Sequence, residues 1–347
     1  MGRINIRSPH FVTVTDTDLT SAKLSIKVYD GQQIVDRPIG TEGTYDIVST
    51  AYNEEVVFEI SELIKDFIDV TFNGTYTSQM VWVDYQVTKY ISGVPDIQPI
   101  DLNKAFDGYG YFEDGANPQL ATNGIFQSNL SGIYAPKAGV VTIAIDQTLV
   151  STVKFMYGVT VLETNTIIET NESDDSIRYF SYDTAEPEDY IDKIRISIQG
   201  YDIDIPINWI EECKHTPHKI TFVNKFGVLQ DLWFFKRSNL SLSTKKEEYK
   251  SNILSGNSYS VSSHQQRILN KQGQEKLVLN SGFVDEQYNE VFRQLMLSEK
   301  VWIKYNSQTL PINISSSSFN YKTSLNDKMI NYTINVDFAY DKINSIR

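Results

Sequence analysis

One stretch in the C-terminal half constrains the fold most strongly, because it predicts a complete β-hairpin. The segment reads HKITFVNKFGVLQDLWFFKR and runs from His218 to Arg237. Ile220 and Phe222 show the alternation of a short buried strand, and the residues that follow, NKFG, have the composition of a turn. Asn224 and Gly227 are residue types that tolerate the positive φ of a tight reversal. We therefore predict that both are structural turn residues.

The same period of two marks strands elsewhere in the chain. Apolar and polar residues alternate over residues 22–28 and again over residues 81–87, which is the pattern of half-buried strands. Over residues 121–206, short apolar stretches are separated by acidic turns, as in a sandwich or barrel. Two short helices interrupt the strands. One follows Ser61, which can cap it, and the other is a helix-like stretch over Phe283–Lys300.

The length of 347 residues predicts more than one domain. We expect an N-terminal β-domain of residues 1–94, a middle β-domain of residues 95–206 and a C-terminal β-domain of residues 207–347 with one amphipathic helix. Residues 93–120 have the prolines and glycines of a linker that contains an ordered loop. The predicted fold class is therefore mainly β, with several sandwich-like or barrel-like domains and a few short helices.

The acidic composition limits the range of partners. The net charge is −13, and a general nucleic-acid binder needs a basic face, so we expect no sequence-specific nucleic-acid binding. Cys213 is the single cysteine, so no disulfide can form within one chain, and folding in a reducing cytoplasm fits. The N-terminal residues lack the apolar segment of a signal peptide, and no apolar run is long enough for membrane insertion.

A group just before the hairpin has residue types that bind zinc, namely Cys213, His215 and His218. Their spacing matches no known zinc finger, and a polar lead-in to a strand accounts for them more simply, although metal binding by this group stays open. The chain has neither a Gly-x-Ser-x-Gly elbow nor a phosphate-binding loop. We therefore predict no catalytic residues, no metal and no cofactor, and expect that the protein is not an enzyme.

The Asp107–Gly115 loop is the strongest candidate for a contact surface. Three aromatic side chains lie among its glycines, where no regular element can bury them fully, so we predict a subunit or partner interface at Tyr109, Tyr111 and Phe112. The alternative is that these rings cover the core of their own domain. Calcium is a second alternative for the loop, through the carboxylates of Asp107, Glu113 and Asp114, although the spacing is not that of an EF-hand.

The aromatic run Trp233–Phe235 admits two interpretations. Exposed rings could stack on a sugar or a base. Consecutive strand residues point to opposite faces, however, and large aromatic residues usually lie in the core.

Several segments resemble virion proteins of one group of phages. They are CKHTPHKITFVNKFGVLQDLWFFKRS at residues 213–238, LVLNSGFVDEQYNEVFRQLMLSEKVWI at residues 277–303, the closing stretch at residues 310–347, the opening RINIRSPHFVTV and the loop FDGYGYFEDGANP. Together these segments are similar to structural proteins of crAss-like and related tailed phages. The motifs are structural, with a strand, a turn, a strand, a helix and a strand, and none is a catalytic signature.

The resemblance implies a structural component of a phage virion tail, either the hub or a ring around the DNA channel. Such a protein would be made and assembled in the host cytoplasm, would bind other copies of itself in a ring, and would contact other phage tail or neck proteins. Two alternatives from other classes remain. One is a β-sandwich module that binds a host-surface glycan, which exposed tryptophans in a shallow groove would favour. The other is a tail-borne hydrolase.

Overall fold

β-Strands make up most of the chain that the computed structural model describes, which comprises residues 2–30, 43–121, 123–137, 139–167, 177–183, 190–198, 200–318, 320–321 and 329–343. Within these residues the strands form several separate sheets, and there are two α-helices. The predicted fold class, mainly β with several sheets and a few short helices, is confirmed.

The N-terminal elements form a five-stranded sheet and a two-stranded ladder. In chain order they are β1 (Gly2–Asn5), β2 (Phe11–Thr15), β3 (Leu19–Asp30), β4 (Gly43–Thr50), β5 (Glu55–Glu59), α1 (Ser61–Lys65), β6 (Val81–Ile91) and β7 (Val94–Phe106). The sheet order is β1-β7-β6-β3-β4, and β2 pairs with β5. Leu24 and Ile26 of β3 and Val83 of β6 are fully buried in one core. The alternation in the sequence thus places one face of each strand in this core.

Strand β7 corrects the prediction for residues 93–120. The first half of that segment is a strand rather than a linker, and it pairs antiparallel with β6. Only residues 103–106 also pair with β1, so residues 94–102 form an open edge. Edge strands tolerate prolines, which explains why Pro95 and Pro99 do not interrupt β7. The first sheet therefore continues past the predicted boundary at residue 94, and the division into three domains stays a prediction.

The middle elements form a second five-stranded sheet and a second two-stranded ladder. In chain order they are a 3-10 turn (Phe112–Asp114), β8 (Ile133–Pro136), β9 (Val140–Asp146), β10 (Val150–Tyr157), β11 (Thr160–Thr166), β12 (Ile177–Asp183), β13 (Lys193–Ile198) and β14 (Tyr201–Ile210). The sheet order is β11-β10-β13-β14-β8, and β9 pairs with β12. Phe155, Ile194 and Ile205 are fully buried in the core of this part.

The C-terminal elements include the predicted hairpin. In chain order they are β15 (His218–Val223), β16 (Leu229–Phe234), β17 (Asn239–Lys250), β18 (Gln266–Asn280), β19 (Val284–Asp285), α2 (Tyr288–Leu297), β20 (Val301–Tyr305), β21 (Gln308–Ile314), β22 (Met329–Ile330) and β23 (Thr333–Phe338). A seven-stranded sheet has the order β16-β15-β20-β21-β23-β18-β17. Helix α2 covers the hairpin, because the rings of Phe292 and Phe234 pack edge to face with centroids 6.1 Å apart.

Both predicted helices exist, but their starts differ from the expectation. Ser61 is the first residue of α1 rather than its cap, and its hydroxyl donates to the carboxylate of Glu59. The second helix begins at Tyr288 rather than at residue 283, because Val284–Asp285 pair with β22. Neither of these two helices, the α-helices of the described residues, is long and apolar enough to cross a membrane.

A row of aromatic rings joins the three parts of the molecule. Phe106 ends β7, Phe126 precedes β8, and Phe226 lies in the turn of the β15–β16 hairpin. All three rings are buried, and the centroid of Phe126 lies 6.1 Å from that of Phe106 and 6.2 Å from that of Phe226. The hairpin turn thus packs against both of the other parts.

A half-buried ion pair on the hairpin makes a second connection. Lys219 Nζ lies 3.0 Å from Asp231 Oδ2 on the neighbouring strand, and the hydroxyl of Thr221 donates to Asp231 Oδ1 at 2.7 Å. Tyr76, which precedes β6, donates its hydroxyl to the same carboxylate. Burial and the adjacent carboxylate raise the pKa of Tyr76, so this group stays a hydrogen-bond donor.

The turn residue Gly227 provides a test of how closely these parts pack. Its φ is +78°, and a Cβ there would lie 2.8 Å from backbone atoms of Asp107 and Gly108. Gly158 also has a positive φ, +60°, but no atom lies within 4 Å of its Cβ position. Gly227→Val should therefore lower the free energy of unfolding by roughly 1–3 kcal/mol more than Gly158→Val does. Urea unfolding of the two variants measures the difference, and equal losses would show that the close approach is not tight.

Candidate functional site

One buried side-chain amide holds the turn of the hairpin. Asn224 Nδ2 donates to the carbonyl of Phe126 and to Gln230 Oε1, both at 2.9 Å. Asn224 Oδ1 accepts from the backbone N–H of Phe226 at 3.0 Å. Of the two predicted turn residues, Gly227 has a positive φ and Asn224 does not. Asn224 therefore acts in the turn through its side chain rather than through a positive φ.

Hydrogen bonds continue from this amide to helix α2. Ser128 Oγ lies 2.6 Å from both Gln230 Oε1 and Gln294 Oε1. Gln294 is fully buried on α2 and also accepts from the backbone N–H of Lys225 at 3.1 Å. Because an unpaired buried polar group costs about 1–3 kcal/mol, the network favours one arrangement of the turn, the middle part and the helix.

Two of the three predicted interface residues pack within the chain. Tyr109 is buried, with the guanidinium of Arg7 4.7 Å from its ring centroid, and burial raises its pKa to about 12. Tyr111 donates its hydroxyl to Glu290 Oε1 at 2.6 Å, and the guanidinium of Arg293 lies 3.5 Å from its ring centroid. These two rings therefore fit the alternative in which the loop covers its own chain.

Phe112 differs from the two tyrosines. It begins the 3-10 turn, and 99% of its side chain is exposed. The predicted interface at this loop thus depends on Phe112, which is the one ring of the three that is free to contact a partner.

The described residues offer no arrangement suited to a metal ion, because no three His, Cys, Asp or Glu side chains come together among them. Cys213 is exposed, whereas His218 shares a hydrogen bond of 3.1 Å with Ser238 and stacks on Tyr305. Burial lowers the pKa of His218. The structure does not bring Cys213, His215 and His218 together as a set of ligands.

The three carboxylates of the calcium alternative do not form a set of ligands either. Asp107 is buried, and burial raises the pKa of its carboxyl group. Glu113 is exposed, and Asp114 Oδ2 accepts from the backbone N–H of Tyr111 at 2.8 Å. The three carboxylates therefore have separate environments.

The aromatic run at Trp233–Phe235 lies mostly in the core. Phe234 and Phe235 are buried, and Trp233 is half-buried between the middle and C-terminal cores. This placement matches the core-packing interpretation and leaves no exposed stacking platform at the run.

The longest unsupported element is a two-stranded arm. β17 and β18 pair from Asn239 with Val278 out to Lys250 with Gln266. Only residues 276–280 of β18 also pair with β23. Residues 245–271, which we call the arm, therefore have no third strand beside them. The sequence pattern does not predict this element, although Leu240 and Leu242 at its base have the period of a strand.

The arm exposes an unusual amount of apolar surface. Its exposed large apolar side chains are Tyr249, Leu254, Tyr259, Val261, Ile268 and Leu269. Val261 is 94% exposed, and Leu269 is the extra residue of a β-bulge opposite the step from Glu247 to Glu248. A two-stranded hairpin alone is at best marginally stable in water, and clustered apolar exposure marks interaction sites. The arm is therefore the candidate functional site, as a surface for a macromolecular partner.

The open edge of β7 is a second exposed apolar surface. Ile97, Ile100 and Leu102 are exposed and lie opposite Thr88, Gln86 and Asp84 of β6. Those three β6 residues alternate along one strand, so the three apolar side chains share a face. Asp96 and Asp101, also exposed, are sequence neighbours of these residues and therefore lie on the opposite face of β7.

No family model matches the chain, and no curated protein matches it. The crystal structure of dimeric latent PorU from Porphyromonas gingivalis is similar to this chain with 12% sequence identity and a TM-score of 0.20. The similarity covers 81% of this chain and 30% of that chain, so this chain spans about a third of the PorU chain. A similarity at this level bears on neither fold nor function.

Two single substitutions test the different roles of the loop rings. Tyr111→Ser removes a hydrogen bond and the ring beneath Arg293, so it should lower the free energy of unfolding by about 1–3 kcal/mol. Phe112→Ser removes an exposed ring and should change it by less than about 0.5 kcal/mol. Denaturant unfolding of both variants checks this, and equal destabilisation would mean that Phe112 packs within the chain.

Proposed function

We propose that the protein is a structural component of a bacteriophage virion tail, as the hub or a ring around the DNA channel, and that it assembles as a homo-oligomeric ring. Its further partners are other phage tail or neck proteins, and it is made and assembled in the host cytoplasm. The resemblance of the hairpin, helix and loop segments to virion proteins of crAss-like phages motivates the class. The arm is the structural observation that carries the proposal.

The exposed apolar side chains of the arm support assembly, because the described part of a single chain does not cover them. A two-stranded element with exposed apolar side chains is costly to keep in water, and a partner that covers it removes that cost. Repeated contacts between two different surfaces of identical copies produce a closed ring when the rotation closes. A body built from packed β-sheets is rigid enough to keep the angle between neighbouring copies constant.

The charge also agrees with a channel wall. The chain carries −13 at neutral pH, and a negatively charged wall does not hold DNA that must pass through it. The same charge opposes association over long distances, so the subunit contacts must be local and complementary.

The glycan-binding alternative has no comparable support. Exposed tryptophans in a shallow groove would favour it, but Trp82 is buried and Trp209, Trp233 and Trp302 are half-buried. The arm has two exposed tyrosines, Tyr249 and Tyr259, but no tryptophan. We therefore keep assembly as the proposed function and a non-enzymatic role as part of it.

Electron microscopy and mass photometry of the purified protein test this proposal. We expect closed rings with a single copy number, in equilibrium with monomers as the protein is diluted. A protein that stays monomeric at every concentration and binds polysaccharide would contradict the ring and support the glycan-binding module.

A further inference from the structure

We infer that the arm of one copy docks on the open edge of β7 in a second copy of this chain. This inference rests on the proposed ring and names the two surfaces that form its repeated contact. One surface is the arm, residues 245–271, and the other is the exposed edge formed by residues 94–102.

The arm has the opposite charge from the rest of the chain. It carries four lysines and one arginine against two glutamates, a formal charge of +3. Since the whole chain has a net charge of −13, the remainder carries −16. We call the rest of the chain, outside residues 245–271, the body. The basic arm and the acidic body attract each other locally, even though two whole copies repel each other.

The lysines of the arm repel one another, and an acidic partner would relieve that repulsion. Lys246 lies directly opposite Lys271 in the ladder, and Lys245 is next to Lys246. Like charges in directly opposed positions destabilise a strand pair. Lys246 is bridged to Glu248, but among the described residues neither Lys245 nor Lys271 has an ion-pair partner. The arm thus presents unpaired positive charge to solvent.

The edge of β7 complements the arm in both charge and apolar character. Asp96 and Asp101 supply negative charge on one face of this edge strand, and Ile97, Ile100 and Leu102 supply an apolar surface on the other. The arm offers the matching combination of lysines with exposed apolar side chains such as Ile268 and Leu269. Both faces of an edge strand are open to a partner that packs along it, so the lysines of the arm can meet the carboxylates while its apolar side chains cover the apolar face.

The prolines of β7 determine how the two surfaces meet. Pro95 and Pro99 lack backbone N–H groups, so a continuous ladder cannot form along this edge. The contact is therefore made by side chains rather than by addition of a strand to the sheet. Since the arm and the β7 edge are different surfaces of one chain, each copy can use its arm on one neighbour and its edge on another, and such heterologous contacts produce a closed ring when the rotation closes.

Charge reversal in the arm tests this contact. In the variant Lys245→Glu, Lys246→Glu and Lys271→Glu, the concentration at which half of the chains are assembled should rise about tenfold or more, as expected for the loss of several ion pairs. Mass photometry over a dilution series measures this concentration, and the melting temperature of the body should not change.

A matched control and a compensating variant make the result specific. Reversal of Lys214, Arg237 and Lys304, three exposed basic residues outside the arm, changes the net charge equally and should leave assembly close to that of the wild type. Adding Asp96→Lys and Asp101→Lys to the arm variant should restore assembly, because the contact then has the opposite polarity on both sides.

The outcomes separate this inference from the proposed function. If arm reversal leaves the rings intact, or the compensating variant does not restore them, the contact is wrong while the ring stands. If the wild-type protein never forms rings, both the ring and the contact fail. If the wild-type protein instead retards a DNA duplex in electrophoresis, and arm reversal abolishes that binding without changing the rings, the arm binds nucleic acid and the contact between copies is overturned.

Discussion

The amide of Asn224 is the interaction on which the arrangement of the sheets depends. It is fully buried, and both of its polar atoms are paired, with the carbonyl of Phe126, the amide of Gln230 and the turn itself. A buried amide is tolerated only where its partners are present, so the hairpin and the middle part can pack in one relative position. Gly227 completes this position because its lack of a side chain lets the turn approach the backbone of residues 107–108.

The arm has the opposite physical character. The body combines buried apolar cores with paired polar groups, whereas the arm leaves apolar side chains and lysines in water. Two whole copies of this acidic chain repel each other. The arm is positively charged and the body is negatively charged, however, so these two surfaces are complementary.

The sequence predicted those elements whose signal is local. The hairpin and the alternating strands β3 and β6 follow from a period of two with one buried face, which is visible without knowledge of the partners. The sequence pattern predicts a linker at β7 because Pro95 and Pro99 fit a β-strand only where that strand lies at the edge of a sheet. Whether a strand lies at an edge depends on how all the strands of the sheet are arranged. The arm was not predicted because neither face of β17 is buried, and apolar residues alternate with polar ones only at Leu240 and Leu242.

The candidate site was predictable only in part, for a related reason. Tyr109, Tyr111 and Phe112 are equivalent in the sequence, since all three are large rings among glycines. Their separation into two packed rings and one exposed ring depends on Arg7, Glu290 and Arg293, which are distant in the chain. No pattern within the loop encodes these contacts.

Amide hydrogen exchange, followed by mass spectrometry in dilute and in assembled protein, tests this account most directly. In the dilute monomer, we expect the amides of residues 218–234 to exchange only on global unfolding and those of the arm to exchange orders of magnitude faster. On assembly, the arm and residues 94–102 should both become protected. An arm as protected as the hairpin in the monomer, or an arm whose exchange is unchanged on assembly, would contradict the account.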